Sequence, residues 1–265
     1  MLTSSRPFPL ARTKRPVLLA HRGAAEDGIP ENSRAAFDKA FSSGKTDGLE
    51  TDVHATSDGY PVLSHDKVWY ATDGNFEIAE VTWAQLSRHR LPNGEKPLGF
   101  EEFLDRYPGI YLNIDAKSDA VVPAIVATLR NRTDLGRLGL GSFSTRRVWQ
   151  MSQALGDEPG YLIGATDILR LAMFAAGGVT PGRWLTPRLV RDYNCAAAVP
   201  VSQYGIPVVT KRFVAAAHRL GCPVYVWTVN EPAEFLRLYH LGIDGVYTDN
   251  VFTLSRVATK DSHRF

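Results

Sequence analysis

Cysteine is scarce: the 265-residue chain has two, Cys195 and Cys222. Two cysteines make no disulfide framework, and their spacing matches no zinc motif. Both stand beside strand-like segments and read as buried free thiols, which favours a reducing compartment. Long apolar runs are missing as well, with nothing near the roughly 18 residues of a membrane span. Prolines and basic residues interrupt Met1 to Pro16, so no signal-peptide core is visible there and a cytoplasmic protein is expected. Nor is there an excess of one charge: 30 Lys and Arg against 28 Asp and Glu leave +2, too little for nucleic acid binding as the main task. The short basic stretch Arg12, Lys14 and Arg15 reads as a solvated arm rather than a membrane or phosphate patch. Repeats and low-complexity tracts are absent, and oligomeric state is left open.

What is present is a regular alternation. Eight short apolar, β-branched-rich runs read as strands: 17–20, 48–56, 110–117, 138–143, 160–163, 195–199, 223–229 and 245–247. Helix-like stretches lie between most of them, at 32–43, 120–130, 145–154, 167–176, 211–220 and 232–241. Glu31 and Asn32 are expected to cap the first helix, and Gly221 and Gly242 follow the last two as C-terminal caps. Eight strand–helix alternations predict a single α/β domain, a (β/α)8 TIM barrel, with a doubly wound sheet as the alternative. Residues 57–109 break the alternation. They hold a short strand at 61–64 and turns at Asp73-Gly74 and Asn93-Gly94, and predict a small inserted subdomain over one end of the barrel.

Chemistry gathers where these strands end. His21 and Arg22 close the first strand, at the barrel end where active sites are built. The histidine exchanges protons near neutral pH, and the arginine offers a planar fork of donors to phosphate oxygens. In Leu49-Glu50-Thr51-Asp52-Val53-His54, strand alternation puts Glu50, Asp52 and His54 on one face. Two close carboxylates call for positive charge between them. A divalent cation with oxygen ligands, Ca²⁺ or Mg²⁺ with Mn²⁺ also compatible, supplies it on one reading; interior Lys or Arg supplies it on the other. His65 returns toward the same end, so that two histidines divide the proton transfers of a phosphodiester cleavage. Asn113, Asp115 and Lys117 share a face of the third strand. Asp115 there completes a three-carboxylate metal site and Lys117 holds phosphate, or the two simply pair with each other. Trp227 is either an apolar wall at the mouth or plain core. His54 either lines the pocket or bonds a neighbour, and Asp244 to Asp249 either line the mouth or cap the last helix.

In this order the residues resemble the glycerophosphodiester phosphodiesterase family. The blocks are His21-Arg22-Gly23, Pro30-Glu31-Asn32-Ser33 with Ala36-Phe37, Gly48 to Val53, Thr56, Asp58-Gly59, His65-Asp66, Asn113 to Lys117, Val226 to Asn230, and Asp244-Gly245-Val246 through Thr248-Asp249. They cover essentially residues 17 to 250. The resemblance implies a TIM barrel with an insertion after the second strand. It also implies divalent-cation-dependent hydrolysis of a small-molecule glycerophosphodiester to an alcohol and glycerol 3-phosphate. By motif position His21 and His65 are the acid/base pair, Glu50 and Asp52 hold the metal, Arg22 holds the phosphate, and Glu31 supports the metal site. This chain departs from the pattern twice, with Asp115 where Glu is usual and Tyr70 where an arginine often stands. A lysophospholipase D-like enzyme is the related alternative, its apolar channel built from Trp69, Tyr70, Phe76 and Trp83. A catalytically silent phosphate-binding barrel is the third reading.

Overall fold

A computed structural model of the chain describes residues 8–10, 16–26, 28–178 and 188–261, so Arg12, Lys14 and Arg15 lie outside the described residues. Eight strands run parallel: β1 (Val17–Ala20), β2 (Gly48–Ala55), β3 (Tyr111–Ala116), β4 (Leu138–Gly141), β5 (Gly160–Leu162), β6 (Cys195–Pro200), β7 (Val224–Trp227) and β8 (Gly245–Thr248). Each pairs with its sequence neighbour, and pairing of β1 with both β8 and β2 closes the sheet. All eight predicted strands are present, within three residues at either end. The barrel helices are α1 (Arg34–Ser42), α2 (Phe100–Arg106), α3 (Val121–Leu129), α4 (Thr145–Leu155), α5 (Ala165–Ala176), α6 (Lys211–Arg219), α7 (Pro232–His240) and α8 (Val251–Asp261), with two shorter ones, Trp83–Leu86 and Arg188–Asp192, among the described residues. A barrel helix follows each strand, the order of a (β/α)8 barrel rather than of an open doubly wound sheet. Among the described residues no helix is long and apolar enough to cross a membrane.

The strand sequences decide what lies inside and outside. Outward side chains such as Leu18, Leu49, Val53, Leu112 and Ile114 pack against the helices in one large cluster. Phe37 of α1, fully buried, meets Phe103 of α2 at 4.7 Å between ring centroids. Burial of one such side chain stabilises by about 1.5–3 kcal/mol. Inward side chains Val17, Leu19, Tyr111, Leu162, Ala196, Tyr225 and Tyr247 fill the barrel, and Phe8 packs with them against Tyr111 and Tyr225. Glycine makes room where large rings cross: a side chain at Gly139 would collide with the Tyr111 hydroxyl.

The segment between β2 and β3 has an apolar cluster of its own, Val62, Trp69, Ile78 and Leu86. Pro61–Leu63 runs antiparallel to the end of β2, and Val68–Ala71 forms a hairpin with Gly74–Glu77.

The start of α1 corrects the sequence reading. Its N-cap is Ser33, whose hydroxyl accepts from Ala36 N at 3.2 Å and donates to Pro30 O. Asn32 lies one residue earlier in a left-handed conformation, φ 53°. Its side chain turns inward and accepts from Thr51 Oγ1 at 2.7 Å. Glu31 turns instead to the Arg22 guanidinium, 2.9 Å away. The guanidinium of Arg22 for Glu31, and the Thr51 hydroxyl for Asn32, take these side chains away from the free amides of the helix. Gly221 and Gly242 do adopt positive φ, 72° and 87°, just beyond their helices.

Candidate active site

At the C-terminal ends of the strands lies a cavity of about 480 Å³. On one side it is lined by His21, Arg22, Glu50, Asp52, His65, Asn113, Asp115 and Lys117. Parallel pairing explains the cluster: Glu50 stands beside Asn113 and Asp52 beside Asp115 in the register of β2 and β3. Side chains level in adjacent parallel strands point to the same face. The hydroxyls of Tyr111 and Tyr247 meet at Asn113 Oδ1 beneath, at 3.3 and 3.2 Å.

His21 opens a tight turn after β1. Arg22 there has φ 51° and Gly23 φ 90°. A Cβ on Gly23 would sit 2.8 Å from that of Ala36, so only glycine lets α1 approach. Arg22 N donates to Glu50 Oε2 at 3.0 Å and Asn32 N to Arg22 O at 3.0 Å, which holds the strained turn closed. His21 Nδ1 bonds Asp249 Oδ1 at 2.7 Å. Asp249 is gripped in turn by Asn230, whose Nδ2 donates to Oδ2 at 2.9 Å and whose Oδ1 accepts from Asp249 N at 2.8 Å. Burial works against an imidazolium at His21, but Asp249 and the charge of Glu50 outweigh it and raise the pKa. His65 Nδ1 bonds Asp66 Oδ1 at 2.8 Å.

The carboxylates are compensated unequally. Lys117 Nζ lies 2.7 Å from both Asp52 Oδ1 and Asp115 Oδ2, and Arg22 Nε lies 3.2 Å from Asp52 Oδ2. Interior Lys and Arg thus supply the charge between these two acids. Among the described residues, no group of three His, Cys, Asp or Glu side chains stands ready to hold a metal. Burial opposes the Lys117 charge, yet Asp115 and Asp52 together raise its pKa. Asp115 is raised by burial and by Asp52, with Lys117 pulling against the shift. Glu50 receives the Arg22 backbone N–H and feels the charge of His21, but burial beside Asp52 drives its pKa up to about 8. Of the three carboxylates, its ionised form is the least compensated. The donor set, all carboxylate oxygen, suits a hard cation such as Ca²⁺ or Mg²⁺.

The other side of the cavity is apolar: Phe143, Leu162, Ile163, the α5 stripe Ala165, Ile168, Leu169 and Ala172, then Pro200, Val208 and Trp227. Trp227 is therefore a wall, set edge-on to Phe143 at 5.7 Å. The channel expected from the insertion is not found. Trp69 is buried in the insertion's own cluster, Phe76 lies on His89, Trp83 stacks on Tyr60, and Tyr70 faces solvent away from the cavity lining. Each of the first three has a nearer apolar partner within its own segment. His54 also falls outside the lining; its Nε2 bonds the His65 carbonyl at 3.2 Å. Burial, with help from Lys117, lowers its pKa and keeps it neutral.

A sequence model of the glycerophosphoryl diester phosphodiesterase family matches residues 21–253 of the 265. The chain belongs to this family. With the family goes its reaction class, phosphoric diester hydrolysis. A relative from Mycobacterium tuberculosis, "Probable glycerophosphodiester phosphodiesterase 2", is 29% identical over 91% of this chain and 90% of its own length. Human "Lysophospholipase D GDPD1" is 26% identical over 87% of this chain and 82% of its own. Among solved structures, an Oleispira antarctica phosphodiesterase in complex with the product sn-glycerol-3-phosphate superposes with a TM-score of 0.71, 25% identity, and 92% and 96% coverage.

Within this glycerophosphodiester phosphodiesterase barrel, Asp249, Asn230 and Asn32 are the residues that sequence reasoning undervalued. Asp249 was legible only as a polar residue ending β8; its bond to a histidine 228 positions earlier follows from closure of the barrel. Asn32 read as a helix cap, whereas its Nδ2 reaches Asp52 Oδ2 at 3.5 Å.

Proposed function

We propose that this protein hydrolyses glycerophosphodiesters to an alcohol and sn-glycerol 3-phosphate, with His21 and His65 as the proton carriers. The observation that carries the proposal is one cavity lined by both histidines, three carboxylates, Arg22 and Lys117. His21 is the proton donor. Its Nδ1 is committed to Asp249, which leaves Nε2 to protonate the departing alcohol oxygen, and the raised pKa favours the protonated form. His65, on the same cavity, accepts the proton of the attacking hydroxyl, from water or from the substrate's own glycerol. Arg22 and Lys117 hold the phosphoryl oxygens as charge develops on them. Glu50, Asp52 and Asp115 would hold a divalent cation, which when bound adds positive charge beside those oxygens. Glu50, whose ionised form the fold disfavours most, would gain most from that added positive charge. Asp115 is shorter than the usual Glu at its position. Glu31 supports the site through Arg22, and His54 through the His65 carbonyl.

The test is release of glycerol 3-phosphate from glycerophosphocholine by EDTA-stripped protein, with Ca²⁺, Mg²⁺ or Mn²⁺ added singly. Recovery with one cation and none in His21→Ala supports the reading; activity indifferent to His21→Ala sinks the assigned proton donor, and no activity with any cation on either glycerophosphocholine or a lysolipid leaves a silent phosphate-binding barrel. The apolar wall of α5, Val208 and Trp227 favours a second reading, a lysophospholipase D-like activity. A lysolipid hydrolysed faster than glycerophosphocholine would select it.

A further inference from the structure

We infer that the apolar rim beside this cavity docks on an anionic lipid surface. Among the described residues, five of the seven exposed large hydrophobic side chains stand on one sector of the barrel mouth: Phe143, Leu169, Met173, Tyr204 and Ile206. Phe143 follows β4 and, with Leu169 of α5, also lines the cavity. Met173 stands one helical turn beyond Leu169, 66% exposed. Tyr204 and Ile206 belong to a small hairpin, Ser202–Gln203 against Ile206–Pro207, flanked by the lining residues Gln203 and Val208. Its two-residue turn puts Tyr204 at φ 51° and Gly205 at φ 77°, which holds the tyrosine 94% exposed at the tip. An aromatic so exposed at a loop tip has no packing role among the described residues. An amphipathic ring of this kind suits the boundary between headgroups and acyl chains.

Charge on the same sector is predominantly positive. Arg146 and Arg147 open α4, Arg170 lies on α5, and Lys211 and Arg212 open α6 just after Val208. Asp119, bonded to both Arg146 and Arg147, and the buried Asp167, bonded to Arg170, are the acids paired with them. Five cations against two anions around an apolar patch complement an anionic membrane face. A protein partner seated here would close the mouth that substrate must enter. A lipid surface leaves it open to whatever amphiphile or headgroup lies in that surface. The inference concerns docking and stands whether or not the proposed reaction is correct.

The test is co-sedimentation of the full chain with vesicles of phosphatidylcholine alone or mixed with phosphatidylglycerol. The variant is Met173→Glu with Ile206→Glu, two exposed residues outside the cavity lining. Its fold is checked by thermal melting and its hydrolysis of soluble glycerophosphocholine by the assay above. The wild type should sediment with the mixed vesicles and lose binding as salt rises, and the variant should bind about tenfold more weakly or less while melting normally. Wild type that stays in the supernatant with both vesicles overturns the inference. So does a variant that sediments like wild type. A wild-type dimer that the variant dissociates also overturns it, and assigns the face to a second copy of the chain. Sedimentation needs no turnover, so an inactive protein that still binds mixed vesicles would refute the proposed reaction and not the docking.

Discussion

His21 carries one of the proton transfers proposed here, and its geometry is owed to Asp249. His21→Ala should reduce kcat on glycerophosphocholine by about 10²–10⁴-fold, measured under saturating substrate. Asp249→Asn tests positioning separately. The carboxylate raises the His21 pKa, so its removal lowers that pKa. A proton donor loses activity as pH rises through its pKa. The basic limb of the kcat/KM profile should therefore move to lower pH in Asp249→Asn, a shift that a merely structural role would not produce. Glu50 makes an independent prediction. Its pKa is raised in the fold to about 8, so it destabilises the metal-free protein as pH rises from the ordinary carboxylate range through 8. In EDTA, Glu50→Gln should melt higher than wild type at pH near 8, with the gain shrinking toward pH 5. Saturating divalent cation should erase the difference by stabilising wild type alone.

At the scale of elements, the turn from β1 into α1 decides where the site's groups stand. It packs three non-glycine residues of positive φ, Arg22, Ala24 and Asn32, around Gly23. Such conformations cost about 1–3 kcal/mol each and persist where surrounding bonds over-determine them. Here those bonds are Arg22 N to Glu50, Asn32 N to Arg22 O, and the Ser33 cap. Ser33→Ala should cost about 1 kcal/mol in urea unfolding. The cap lies next to Asn32 and two residues from Glu31, so loss of kcat should accompany the loss of stability. Elements far from the mouth should behave otherwise.

For the whole molecule, the barrel separates stability at one end from chemistry at the other. Phe8 packs among Tyr111, Tyr225 and the other inward side chains on the side away from the cavity lining. Phe8→Ala should destabilise by about 3–5 kcal/mol, with KM unchanged well below the melting temperature. Closure also sets the charge balance. It brings Lys117 of one strand end against Asp52 of another, and Asp249 of the last strand against His21 of the first. Arg22 and Lys117 at this mouth are already held by carboxylates, so the phosphate contact proposed for them would exchange one ionic partner for another.

The eight strands are legible in the sequence because period-two alternation and short apolar runs are local properties. The same alternation groups Glu50 with Asp52 and Asp115 with Lys117, since residues two apart on a strand share a face whatever the fold around them, whereas His21, Arg22 and His65 stand outside the strands and are legible through motif order. Partners were decided only by the tertiary structure. Glu31 and Asn32 read locally as a helix cap, but Arg22 draws Glu31 away, the Thr51 hydroxyl draws Asn32 away, and Ser33 caps instead. The insertion's aromatics read as a channel, but a small cluster of their own buries or stacks most of them and the wall comes from α5. Both outcomes depend on contacts between distant segments, where the free energy of a side chain is set by what else reaches the same place.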